Sequence, residues 1–370
     1  MLLRSAHRYV AEALDLEGRR LGELSLTPDF SPAGEWSHLE GVRCGALDAT
    51  AHHRSGVVEP VFDQTTGPPY VTGFRVRFDA ADPTYNGPEI PWNYFQQCVE
   101  GSSAQMVNNG TLRAGEQFVY RVCAILVDRN QQARSPGSDI VIDDTPVTLA
   151  LESVSLDRCL AGASRLGRSA WSNRDFPVFV PSSVLDEATE MVDAAGERET
   201  GGILIGYLRR DSESPELLAE ITAQIPATHA DAGHSHLTFT ADTWSAVSDA
   251  LALRGRNEIL LGWWHSHPNF CRHCAAVMRE QCALARPFFS RDDCELHRTV
   301  FDTAFSVALL ISDVGEENLR YDWFGWRDGS IVTRGCHLFP GDEESIYAHR
   351  DECTTLRARV LNLQEKHHEY

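Results

Sequence analysis

Apolar positions change their spacing near the middle of the chain. In the first part they favour a period of two: Phe74-Arg75-Val76-Arg77-Phe78 alternates as a half-buried strand does. Residues 118–127 are almost entirely apolar, which predicts a buried strand. Asn108-Asn109-Gly110 carries a hairpin-turn signal, and Gly67-Pro68-Pro69, Asp82-Pro83 and Asn86-Gly87-Pro88 punctuate the remainder. Residues 1–145 are therefore predicted to form a mostly β domain, sandwich or barrel-like. From 128 to 144 the composition turns polar around Arg134-Ser135-Pro136-Gly137-Ser138. A linker is expected there, and 146–174 continues as a linker region in which 147–154 can form a strand and 161–174 a loop.

Beyond residue 175 helical and strand periods alternate. Ser183 with Asp186 three residues on resembles a helix start, and Val184, Leu185, Ala188, Met191, Val192 and Ala195 then fall on one helical face. Short apolar runs at 201–208 and 217–225 predict strands. Trp244, Val247 and Leu251 predict a second amphipathic helix, followed by a strand at 258–264. A helix is expected after Ser290, then strands at 304–312 and 319–326. Residues 341–370 read as a charged C-terminal helix with a stripe at Leu356, Val360 and Leu363. The fold class is α/β (α+β), a mixed sheet flanked by helices and preceded by the mostly β domain.

At 370 residues there is room for two cores, and the formal charge of −20 argues against nucleic acid as a main partner, since no basic stripe exists to displace phosphate counterions. Residues 1–20 are interrupted by Arg4, His7, Arg8, Glu12, Asp15 and Glu17, so they lack the apolar core of a signal peptide. No stretch approaches the roughly 20 apolar residues of a membrane span. The expected location is the cytoplasm, with the ten cysteines as thiols or metal ligands. Asn109-Gly110-Thr111 matches a glycosylation sequon, which means nothing without secretion.

The chemistry-bearing residues are Glu199, His265, His267, Ser290 and Asp293. His265 and His267 follow the apolar run Ile259-Leu260-Leu261-Gly262-Trp263-Trp264, and residues two apart in extended chain point the same way, so both imidazoles can approach one ion. Pro268 ends the strand. His234-Ser235-His236 has the same triplet but follows a polar segment, and reads as a loop before a strand at 237–240. Ser290-x-x-Asp293 has the spacing of a helix cap. Two imidazoles and one carboxylate can hold zinc and leave a fourth position to water, while a further carboxylate takes that water's proton.

The frame Glu199-Thr200-Gly201-Gly202, then His265-Ser266-His267-Pro268, then Phe288-Phe289-Ser290-x-x-Asp293 resembles the JAMM/MPN+ metalloprotease family in its prokaryotic JAB-like branch. Phe324-Gly325-Trp326-Arg327-Asp328-Gly329 is similar to the end of that domain, and the likeness covers about 175–340. It implies an MPN-type fold with His265, His267 and Asp293 as zinc ligands, Glu199 as the general base and Ser290 as the oxyanion donor. It further implies hydrolysis of the amide after the C-terminal Gly of a ubiquitin-like modifier, with modifier-activating or modifier-conjugating enzymes as further partners. The N-terminal domain would then select substrate or partner. A non-catalytic MPN scaffold and a peptidase acting on a sulfur-carrier protein are the alternatives; keeping all five residues counts against a scaffold.

The frame departs from the family at 269–289, an insertion between His-x-His-Pro and the serine. It carries Cys271, Cys274 and Cys282, and Cys294 follows Asp293. Cys271-x-x-Cys274 has metal-ligand spacing, with His273 or His297 as further donors, so a second, structural zinc and a set of reduced thiols are both open. Pro268 with Cys271-x-x-Cys274 also resembles half of a zinc-deaminase signature, but the one upstream His-x-Glu, His38-Leu39-Glu40, is in the other domain.

Overall fold

The structure is a computed structural model that describes residues 2–48, 55–63, 70–78, 85–127, 151–166, 172–228, 230–232, 237–268, 288–313 and 319–339. The chain divides into two compact units, one of residues 1–150, 294–306 and 325–332, the other of 151–293, 307–324 and 333–370.

In the first unit strands β1 (Leu2–Ser5), β2 (His7–Leu14) and β3 (Arg20–Leu26) precede helix α1 (Ser31–Arg43). Strands β4 (Ser55–Phe62), β5 (Val71–Arg77) and β6 (Glu89–Pro91), helix α2 (Gln96–Asn108) and strand β7 (Val119–Leu126) follow. They make a sheet in the order β1-β4-β5-β6 and another in the order β3-β2-β7. Only Ala6 separates β1 from β2, so one nearly continuous segment serves both sheets. The alternation of β5 is realised: Phe74 and Val76 are fully buried, while Arg75 and Arg77 reach outward to Glu89 and Glu59. Around Phe74 gather Phe30, Tyr94 and Phe95, with ring centroids 5.0–5.6 Å away. β7 is buried at Val122 but exposed at Leu126, because it is the edge of its sheet. The unit is β-rich, with α1 and α2 added to what the sequence predicts. Asn108-Asn109-Gly110 is a helix terminus rather than a hairpin: Gly110 takes φ 78°, and the N–H groups of Thr111 and Leu112 return to the Met106 carbonyl.

The rest of the chain supplies β8 (Glu152–Val154), α3 (Leu156–Ala161), β9 (Ser164–Leu166), β10 (Val178–Pro181), α4 (Ser182–Ala195), β11 (Gly201–Asp211) and β12 (Leu217–Pro226). Then come β13 (Asp231–Ala232), β14 (Leu237–Thr238), α5 (Ala241–Arg254), β15 (Ile259–His267), α6 (Arg291–Val300), β16 (Val307–Asp313), β17 (Leu319–Arg327), β18 (Ser330–Arg334) and β19 (Cys336–Phe339). A mixed sheet runs β18-β17-β16-β15-β11-β12-β10-β19-β9, with β8 also on β11. Within the expected linker region, β8 and β9 are instead strands of this sheet, with α3 between them. β8 lies parallel to β11, and Arg209 ties the two by bonding Glu152 as well as Glu220, the latter at 2.8 Å. The expected linker at 128–144 and the expected C-terminal helix at 341–370 lie outside the described residues.

α4 buries the predicted face through Val184, Leu185, Ala188 and Val192. Thr240 caps α5 by accepting the Thr243 N–H, which is why the strand expected at 237–240 stops at Thr238. Among the described residues no helix is long and apolar enough to cross a membrane.

β15 is central and almost wholly buried, and Gly262 lets it lie against β16. A Cβ there would stand 1.9 Å from the Val307 carbonyl oxygen. Gly262→Ala is therefore expected to push the strands apart and cost about 3 kcal/mol, read as a lower urea midpoint. An unchanged midpoint would mean that the backbone yields at this position.

Candidate metal and catalytic site

β15 carries both histidines and ends at His267. The strand is longer than the predicted 258–264 because its ladders continue on both sides. Gly201 of β11 pairs antiparallel with His265, and one step further the Ser266 N–H donates to the Thr200 carbonyl at 2.8 Å. Glu199 comes just before Thr200, and its carboxyl feels His265 and Asp293. On the other side β16 runs parallel, with Leu310 beside His265 and Ser312 beside His267. Paired residues share a face of the sheet. His267 and Ser312 thus form a polar pair across two strands, and Gly201, His265 and Leu310 an adjacent row across three. Leu237 of β14 occupies the space over Gly201, where a Cβ would meet it at 2.5 Å.

The imidazoles converge. Their Nε2 atoms are 3.2 Å apart, and the His265 ring stacks on Trp263 at 4.7 Å between centroids. Phe289 packs near His265 and Phe288 near His267. These aromatic walls leave His265 1% and His267 8% exposed.

The third donor comes from the start of α6. The Ser290 N–H donates to Asp293 Oδ2 at 2.7 Å, and the Asp293 N–H donates to Ser290 Oγ at 3.1 Å. This reciprocal pair is the helix cap that the spacing predicted, and it also aims the carboxylate: Oδ1 lies 3.3 Å from His265 Nε2 and Oδ2 4.0 Å from His267 Nε2. The Ser290 oxygen accepts in this pair, so its own O–H remains able to donate.

Burial sets the protonation pattern. It pushes the Glu199 carboxyl up to about 7, with His265 pulling it down and Asp293 adding to the rise. Burial likewise lowers His267 to about 4, helped by His265 and opposed by Asp293. For Asp293 burial acts upward, but His265 and the bonds from Ser290 together outweigh it and hold the group well below the usual carboxylate range. At neutral pH the site therefore offers a neutral ring at His267 and a carboxylate at Asp293, the forms that bind a metal. Glu199 stands near its own midpoint.

Among the described residues His265, His267 and Asp293 are the group whose donor atoms converge, all within 4.8 Å of one another. Cys271, Cys274, Cys282 and His273, together with His234 and His236, lie outside the described residues. Cys294 is half-buried on α6. His297 is a core histidine, fully buried with Trp326 at 5.3 Å, and burial drives it down to about 3.

Sequence reasoning passed over Ser266. Its hydroxyl accepts the Thr200 N–H at 3.0 Å and it is 1% exposed, so it fastens the segment carrying Glu199 to the strand carrying the histidines. Ser266→Ala leaves that buried N–H without its acceptor and is expected to cost about 2 kcal/mol, again read from urea unfolding. A loss of under half that amount would mean the hydroxyl is replaceable by water.

Residues 181–272 match a family described as prokaryotic homologs of the JAB domain. The chain carries a JAB-type domain. The matched span includes Glu199, His265 and His267, whereas Ser290 and Asp293 reach the JAB site from beyond it. The chain is also similar to the solution structure of protein DSY2949 from Desulfitobacterium hafniense, at 21% identity and a TM-score of 0.32, over 45% of this chain and 96% of that one. A search of curated proteins found no match.

The donor set of this JAB domain fits a zinc ion. Four-coordinate zinc with bonds of about 2.0–2.1 Å spaces neighbouring ligand atoms about 3.3 Å apart. The separations of 3.2 and 3.3 Å from His265 Nε2 to His267 Nε2 and Asp293 Oδ1 meet that spacing, and the other carboxylate oxygen, Oδ2, lies 4.0 Å from His267 Nε2. Two nitrogens and one oxygen are also the donor types of hydrolytic zinc centres that keep one position open.

Proposed function

We propose that the JAB domain is a zinc-dependent isopeptidase or peptidase that cuts the amide bond after the C-terminal Gly of a ubiquitin-like modifier. The observation that carries this reading is the convergence of His265, His267 and Asp293 beside a buried acid, Glu199, poised near neutrality. The modifier as substrate follows from the likeness to JAMM-type peptidases.

His265, His267 and Asp293 would hold the ion. A zinc ion there would supply Lewis acidity toward a water and toward the amide carbonyl. Glu199 takes the proton from the attacking water and returns it to the departing amine; a carboxyl near 7 can do both at neutral pH. Ser290 turns its O–H toward the carbonyl oxygen as negative charge gathers there, while its oxygen stays engaged with the Asp293 N–H. Phe288 and Phe289 keep bulk water from the rings they pack against.

The test uses the full chain loaded with zinc, mixed with a linear and a Lys-linked ubiquitin-like fusion, with and without a chelator. Cleavage at the modifier's terminal Gly that stops on chelation supports the reading. Zinc bound without cleavage would favour a non-catalytic scaffold, and cleavage only of a sulfur-carrier adduct would move the substrate to that class.

A further inference from the structure

We infer that Ser312 is a substrate-binding residue of the JAB domain, its hydroxyl reserved for a backbone amide group of the peptide that lies across His267. This rests on the hydrolase reading given under the proposed function.

β16 is apolar from Val307 to Ile311, each residue fully buried, and turns polar at Ser312. That change falls where the strand stands beside His267. Ser312 is itself 8% exposed, and its Oγ has no hydrogen-bond partner among the described residues. A buried hydroxyl without a partner lowers stability, because water is stripped from it and nothing takes water's place. An alanine would pack here without that cost, so the hydroxyl is explained by a partner that arrives from outside the chain.

The register says where the partner comes from. Ser312 stands beside His267 on β16, which flanks β15 on one side, while β11, the strand Glu199 leads into, flanks it on the other. A peptide whose scissile amide sits over His267 gives its proton chemistry to the Glu199 flank. Its continuing backbone then meets the Ser312 flank, where a hydroxyl can donate to a carbonyl or accept from an N–H. Such a contact reads main chain and not side chain, so it suits a segment as plain as a glycine-rich tail.

Zinc-loaded wild type and Ser312→Ala are compared in three measurements: zinc content, urea midpoint, and steady-state cleavage of a linear ubiquitin-like fusion. The expected result is equal zinc, a midpoint unchanged or higher, and a KM raised about five- to tenfold, the loss of one neutral hydrogen bond, with kcat changed less. A lower midpoint would make the hydroxyl structural and overturn the inference. Unchanged kinetics in a variant of an active wild type would overturn it while leaving the hydrolase reading intact. A zinc-loaded wild type that cleaves nothing removes the hydrolase reading, and this role falls with it.

Discussion

Glu199→Gln is expected to keep its zinc and lose activity by about 10²–10⁴-fold in kcat/KM, the usual loss on removing a general acid–base group. Gln fills the same volume but can neither take nor return a proton. Metal content measured on the same sample separates this from damage to the ligand set, and full activity with zinc bound would end the assignment of the base. A second signature appears without metal. Burial raises the group from an ordinary 4.5 to about 7, so its favourable contribution is fully present below 4.5 and is lost as pH climbs through 7. The loss amounts to at most about 3 kcal/mol. The Gln variant has nothing to ionise there. Chemical denaturation of the metal-free proteins at pH 5 and pH 8 should show the wild type falling further than the variant.

His267→Ala and Asp293→Asn are expected to abolish the stabilisation that zinc confers. A ligand present at a thousand times its dissociation constant stabilises the folded state by about 4 kcal/mol, a shift easily read from melting curves. His267→Ala removes one of two nitrogens held 3.2 Å apart. Asp293→Asn is the sharper variant, because an amide oxygen can still accept the Ser290 N–H and keep the helix cap while the negative charge disappears. One zinc per chain at undiminished affinity in both variants would exclude these residues as ligands.

Much of the site was legible because its parts announce themselves locally. A buried apolar strand ending in His-x-His-Pro places two rings on one side, and Ser290-x-x-Asp293 marks the start of α6. Glu199 has no such local signal; it stood out through the family frame, and its carboxyl near 7 follows from burial that no composition reveals. Ser266 and Ser312 were invisible for a related reason. Each matters through what an adjacent strand sets beside it, Thr200 in one case and His267 in the other.

The first unit was less legible than the second. α1 buries Trp36, Leu39 and Val42 at intervals of three, but Pro32, Gly34 and Gly41 in the same helix read as loop punctuation. Pro32 is tolerated because it falls in the first turn, where its missing N–H has no partner to lose. α2 buries only Val99 and Met106 completely, too few to draw a stripe. Ser155 and Asp211 fix the entry to α3, the first by accepting the Arg158 N–H and the second by accepting the Leu156 N–H across the sheet. The Asp211 contact is long-range, so the composition of that stretch alone predicts a connection.

The pairing of β11 with β15 and the reciprocal cap at Ser290 and Asp293 have a joint bearing on how this centre tolerates change. One prefabricated half brings the acid and both imidazoles already gauged to each other; the other brings hydroxyl and carboxylate as a single rigid clip. The halves are joined through residues 269–287, and closure entropy grows slowly with the length of a connection, by about 0.6 kcal/mol per doubling. Cargo spliced between Pro268 and Phe288 should therefore be accommodated more cheaply than a single residue added to either half.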